Sequence, residues 1–186
     1  MALFIDFNDP GLIIYTSHRQ VHKMPVQDIN ELKQSLKEYF ETKECQNLEE
    51  LQNLMEENKD QSVIGCYFKD NYLFFKLLKN VIPEVIIPGS NSVDWKRLNI
   101  PILHSLMFKI CLGFDEENVT YIKDVNKGIS NVDEGKIDAL FMINPTKLEE
   151  VQRITSLGEI MPQKSTYFYP KPLSGLIIHR HSEERE

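Results

Sequence analysis

The stretch VTYIKDVNKGISNVDEGKIDALFMI, residues 119–143, decides the fold class. Val119 to Ile122 is a run of strand formers. Asp124 stands where a helix N-cap belongs, Val125, Ile129 and Val132 recur at helical spacing, and Gly135 supplies a stop. Ile137 to Ile143 is a second, almost continuously apolar strand. The alternation continues outward. Asn144-Pro145-Thr146 leads into a helix with Leu148, Val151 and Ile154 on its inner face, Thr146 and Glu149 forming a capping box and Gly158 at its end. Leu173 to Ile178 reads as a last strand. A strand–helix–strand–helix–strand segment predicts right-handed crossovers and local parallel pairing.

Upstream, the pattern is that of hairpins and capped helices. Ser62 to Phe68 and Tyr72 to Leu77 are strand formers on either side of Asp70-Asn71, two residues that tolerate φ > 0 and suit a tight hairpin turn. Leu3 to Ile5 and Gly11 to Tyr15 read as strands around Asn8-Asp9-Pro10-Gly11. Asp28 with Glu31 caps a helix whose apolar stripe is Ile29, Leu32, Leu36, Tyr39 and Phe40. Asn47 with Glu50 caps a second, burying Leu48, Leu51 and Met55. Pro101 opens a helix, apolar nearly all round, that ends near Gly113 and carries His104.

The sum is an α/β to α+β domain: a mixed sheet with an antiparallel hairpin and the C-terminal alternating segment. It spans residues 1–178 as a single unit, followed by a charged tail, 179–186. Its expected core comprises Leu32, Leu36, Phe68, Phe74, Leu106, Ile110, Leu140, Met142, Val151 and Ile177.

Bulk composition narrows the function classes. The chain of 186 residues is 41% hydrophobic and 26% charged, the balance of a globular protein rather than a disordered one. Its net charge of −7 argues against a broad nucleic-acid or anionic-membrane surface, while leaving room for a local basic pocket. Cys45, Cys66 and Cys111 are odd in number and widely spaced, so they read as reduced thiols rather than a disulfide frame or zinc site. No apolar run approaches the roughly 20 residues of a membrane span. A cytoplasmic protein is the expectation.

Chemistry concentrates in GEIMPQKSTYFYPKPLSG, residues 158–175. Pro162, Pro170 and Pro172 keep a helix or an inner strand from running through it, so it displays Glu159, Lys164, Ser165, Thr166, Tyr167 and Lys171 from an ordered loop. Gly158, Lys164 and Ser165 have the spacing of a phosphate-binding P-loop. Gln163 occupies the second glycine position, however, and the required strand-before, helix-after context is reversed. The P-loop reading is rejected; a looser phosphate or carboxylate site remains. A second polar run, Thr16-Ser17-His18-Arg19, sits at a predicted strand end. It offers hydroxyls, a guanidinium and an imidazole for an anion-binding corner with a general base. No metal-ligand spacing occurs, and no cofactor is identified.

Several blocks occur in the same order in a known family: DPGL (9–12), SHR (17–19), LNIPILH (98–104), DALFMINPT (138–146), GEIMPQKSTYFYPK (158–171) and LSGL (173–176). On these the chain resembles, over essentially its whole length, the domain-of-unknown-function 1015 family of bacteria and archaea, sometimes described as ParB/SpoOJ-like. The family's Pro-Thr before the histidine and arginine is Thr16-Ser17 here. The resemblance implies that this is the C-terminal half of a longer protein. It also implies roles for His18, Arg19, His104, Glu159, Lys164, Ser165, Thr166, Tyr167 and Lys171, which all fall in the family's blocks.

The expected function is binding of a phosphorylated or carboxylated small molecule, or a nucleotide, with phosphoryl transfer of kinase or phosphatase type as its most concrete form. Ser17, Arg19, His104, Lys164, Ser165, Thr166, Tyr167 and Lys171 would bind, and His18 or Glu159 would move a proton. The alternative implied by the resemblance is a non-enzymatic, ParB-like regulator. SHR and QKSTYFYPK are expected to meet on one side of the sheet.

Overall fold

A computed structural model describes residues 6, 9, 11–114, 116–169 and 171. Eight strands form two sheets. β1 (Ile13–Tyr15) pairs antiparallel with β8 (Tyr167–Tyr169) in a two-stranded ribbon. The other six are β2 (His18–Val21), β3 (Phe40–Cys45), β4 (Val63–Phe68), β5 (Asn71–Leu77), β6 (Val119–Ile122) and β7 (Ala139–Ile143), in the spatial order β3-β5-β4-β7-β2-β6. This is an α+β architecture.

All strand pairs described are antiparallel, which corrects the expected parallel pairing. β6 and β7 do point the same way across their connecting helix, but β2 lies between them and pairs with both. The crossover is therefore split around a strand contributed from the start of the chain. That strand, β2, is one the sequence does not announce. Its residues His-Arg-Gln-Val look like a solvated strand end, yet Arg19, Gln20 and Val21 are buried. The sequence strands at 3–5 and 173–178, the core position Ile177 and the tail 179–186 lie outside the described residues.

The helices follow their caps. Asp28 accepts from the amides of Asn30 and Glu31 and starts α1 (Ile29–Leu36). α1 stops short of the predicted stripe, because Phe40 already begins β3, a charged edge strand whose Phe40 and Thr42 pair with Leu77 and Phe75. Asn47 accepts from Glu50 N and starts α2 (Leu48–Glu57). The single turns α3 (Pro83–Ile86), α4 (Val93–Lys96) and α5 (Asn99–Pro101) follow, and α5 passes into a π-helix, Ile102–Cys111. Asp124 caps α6 (Val125–Asp133) through Lys127 N. For α7 (Leu148–Ser156) the cap is Lys147, not Thr146: Glu150 accepts from the Lys147 amide, and the Thr146 hydroxyl turns instead to the carbonyl of Ser165. In the β4–β5 hairpin the two loop residues are Lys69 and Asp70, both at positive φ, one position earlier than the sequence suggests.

One face of the six-stranded sheet is covered by α1 and the π-helix, joining Leu32, Leu36, Leu103, Leu106 and Phe108 to Phe75 and Phe141. The other is covered by α2 and α6, with Leu51, Met55 and Ile129 against Phe74, Leu140 and Met142. At the described positions the expected core holds except at Ile110, which is 40% exposed. Among the described residues the three cysteines are free, no helix is long and apolar enough to cross a membrane, and no group of three or more His, Cys, Asp or Glu side chains could hold a metal ion.

Candidate functional site

The two polar runs singled out in the sequence meet. The ribbon sets Tyr15 opposite Tyr167, so the residues after β1 and those before β8 come to the same corner, beside the edge strand β6. In the larger sheet Arg19 faces Tyr121 on β6 and Phe141 on β7. The Arg19 guanidinium carbon lies 5.4 Å from the centre of the Tyr121 ring, and Lys164 Nζ lies 6.0 Å from the same centre. Arg19 and Lys164 thus converge on one tyrosine.

Arg19, expected from the sequence to hold an anion directly, is instead fully buried. Its Nε donates to His104 Nε2 at 2.9 Å, and Nη1 donates to the carbonyl of Ser17. Accepting that bond leaves the His104 proton on Nδ1, which is 2.8 Å from Glu116 Oε1. Burial, and then the Arg19 charge, push His104 down to about 4, with Glu116 working the other way. Burial also lowers Arg19 to about 10, opposed by Tyr121 and Glu116, so it stays a cation at neutral pH. Arg19 Nη2 has no hydrogen-bond partner among the described residues. A buried guanidinium with neutral partners and one unused nitrogen is costly for stability alone. The π-helix that carries His104 is a rare form of helix that recurs at functional sites.

Lys164 is held by a built turn. Its φ of 56° is left-handed, a conformation that costs a non-glycine residue about 1 kcal/mol. Ser165 pins it: the Ser165 hydroxyl donates to Pro162 O at 2.6 Å, and Thr146 Oγ1 donates to Ser165 O at 2.9 Å. Ser165 is accordingly buried and its hydroxyl spent on the turn, which corrects its expected role as a ligand contact. Thr166 is half-buried and Lys171 exposed.

Beside this turn, Lys123 Nζ sits 3.2 Å from the centre of the Tyr167 ring. Lys123 first, by hydrogen bond and by charge, and then Lys171, hold the Tyr167 phenol below its usual pKa. Tyr15 and Tyr169 pack edge to face at 5.5 Å, and Tyr15 lies 6.5 Å from Tyr167.

Strand alternation sends His18 to the opposite face from Arg19. There it lines a cleft of 630 Å³ together with Tyr15, Thr16, Lys123, Met142 and Asn144. Burial, and then Arg19, lower His18 to about 4, so the imidazole is neutral at physiological pH and one ring nitrogen is a hydrogen-bond acceptor. Glu159, the other expected proton carrier, is committed elsewhere. Its carboxylate accepts from Ser92 N at 2.7 Å and from the Ser92 hydroxyl, an arrangement that ties the end of α7 to the cap of α4 and keeps its pKa low.

Three residues of the corner escape the sequence reading. Tyr121 and Lys123 sit in a run that reads only as strand and helix start, and Glu116 belongs to an acidic turn. Their signal is the β2–β6 pairing, which no local pattern reveals.

No family model and no curated protein matches the chain. Among solved structures it is similar to a conserved hypothetical protein from Pyrococcus furiosus, at 17% identity over 89% of this chain and 60% of that one, with a TM-score of 0.48. It is also similar to a free serine kinase in complex with AMP, at 18% identity over 89% of this chain and 57% of that one, TM-score 0.47. A mutant of free serine kinase in complex with ADP gives 18% identity, 90% and 58% coverage and a TM-score of 0.47. The chain therefore spans less than two thirds of the length of the structures it resembles.

Proposed function

We propose that this corner binds a phosphorylated or carboxylated small molecule, with Lys123 and Lys164 as the cations that hold it and Tyr121 and Tyr167 as the aromatic supports that orient them. One observation carries the reading: Arg19 and Lys164 converge on Tyr121 while Lys123 sits on Tyr167, a local concentration of positive charge on a chain of net charge −7. The strained φ at Lys164 supports it, since a surface lysine has no packing reason to occupy that conformation. Arg19, behind Tyr121, acts from the interior as a fixed charge, with His104 and Glu116 setting its orientation.

Phosphoryl transfer is the specific form we favour. His18 borders the cleft with a neutral imidazole, so it is the residue to accept a hydrogen bond from an attacking hydroxyl and orient it. Glu159 is not part of this scheme. Membership of the domain-of-unknown-function 1015 family, and with it the reading of the chain as a C-terminal half, is proposed on the motif blocks at 9–12, 17–19, 98–104, 138–146 and 158–171.

The test is ligand-dependent stabilisation. Phosphate or ATP at about a hundredfold excess over its dissociation constant adds roughly 2.7 kcal/mol, a rise of several degrees in melting temperature for a chain of this size. Lys164→Ala and Lys123→Ala should each remove the rise. If no phosphate compound moves the wild-type melting curve, the anion reading fails. Tight, salt-dependent retention of duplex DNA would instead favour a regulator.

A further inference from the structure

We propose that the cleft beside Lys123 receives the organic body of the bound anion, and that this body is an aryl or branched apolar group joined to a single phosphate or carboxylate. The inference rests on the anion reading above and names the class of ligand.

The cleft opens between the β1–β2 corner, α2 and the end of β7, and its 630 Å³ is a typical volume for a small-molecule site. Inorganic phosphate would leave most of it empty. Its apolar walls are Ile14, Tyr15, Met55, Val125, Met142 and Ile143, a surface that an aryl or branched apolar group would cover beside the polar side chains of the same lining. Lys123 belongs both to the cleft wall and to the Tyr167 contact, so it joins the cleft to the cation cluster. Glu56 on α2 also lines the cleft and brings a carboxylate, ion-paired with Lys59, to the wall. The ligand's charge is therefore placed at the Lys123 end. On the same wall Thr16 Oγ1 and His18 Nδ1 are buried without partners among the described residues. A rotation of either side chain turns it toward a hydroxyl or ester oxygen next to the anionic group, which fits an ester better than a bare hydrocarbon acid. Asn144 holds the floor in place through its bond to Met55 O at 3.1 Å.

Phenyl phosphate, inorganic phosphate and phenol are the probes, read on protein carrying ¹³C-methyl methionine. Met55 and Met142 line the cleft, whereas Met24 and Met107 are buried on the other face of the sheet and serve as controls. Phenyl phosphate should bind at least tenfold more tightly than inorganic phosphate and shift Met55 and Met142 but not Met24 or Met107. Asn53→Trp, a change at an exposed position of α2 on the cleft wall, should cancel the advantage of phenyl phosphate and leave inorganic phosphate binding intact. Equal affinity for the two phosphates, or binding that leaves Met55 and Met142 unmoved, overturns the cleft inference while the anion site stands. Phenol binding as well as phenyl phosphate, with the same methionine shifts, keeps an aryl site and overturns the anion reading. Binding of none of the three overturns both.

Discussion

At the scale of single residues the site is built from groups held in states they would not choose alone. His18 and His104 are both lowered to about 4, chiefly by burial, and the consequence for stability has a definite sign. Above pH 6.5 the imidazoles are neutral in the folded and unfolded chain alike and contribute no pH dependence. Between about 6.5 and 4 the unfolded chain takes up protons that the folded chain refuses. Stability therefore declines through that window by about 1.4 kcal/mol per pH unit for each histidine. Carboxylates held low by partners, such as Glu84 by Arg97 and Glu159 by Ser92, add their loss only as pH falls through the ordinary carboxylate range. Urea unfolding at pH 7, 6 and 5 isolates the imidazoles, and His104→Gln, which still offers Arg19 an oxygen, should roughly halve the slope. Lys164 gives the complementary case. Lys164→Gly removes the left-handed strain and should raise stability by up to about 1 kcal/mol while abolishing phosphate-induced stabilisation. A glycine variant that is no more stable than wild type would show that the strain does not exceed the extra backbone entropy that glycine loses on folding.

Between elements, α6 and β7 approach each other closely at Gly128. A Cβ on Gly128 would stand 2.7 and 2.8 Å from the two methyls of Leu140, which is fully buried. Alanine in a helix interior normally gains up to about 1 kcal/mol over glycine. Here overpacking, typically about 1–3 kcal/mol, outweighs that gain. Gly128→Ala should therefore lower the melting temperature, and Leu140→Val in the same chain should recover part of the loss; denaturant titration of the four-member cycle checks it. The same elements show what was legible in advance. The caps at Asp28, Asn47 and Asp124 were readable because each is a local hydrogen bond to an amide two or three residues away. β3 was hidden because Phe40 extends the stripe of α1, and its remaining residues, Glu-Thr-Lys-Glu-Cys, are those of a solvated edge. β2 was hidden for the opposite reason: Arg19 is polar in sequence yet buried, an inversion that only a partner on a distant element makes tolerable. The π-helix has no signature in a segment that is apolar nearly all round.

For the molecule as a whole, the proximity of the two polar runs was foreseeable as a meeting of strand ends, but the means was not. Each run lies beside a strand end, as expected, but the strands that join them form a separate antiparallel ribbon. β1 and β8 pair in a sheet of their own, and every strand of the six-stranded sheet lies between them in the chain. Among the described strand pairs this one closes the longest loop, and its three registered positions repay little of that entropy. Its formation must wait until β2 to β7 have already brought its partners near, so it belongs to the last steps of folding and the first of opening. Amide hydrogen exchange should accordingly be fastest in residues 13–15 and 167–169 and slowest in β4 and β5. Equal protection in ribbon and hairpin would refute that order. Lys123 and Tyr167 meet only when the ribbon is closed, so a ligand held there also acts as a fastener, and its dwell time is bounded by how often the ribbon unzips.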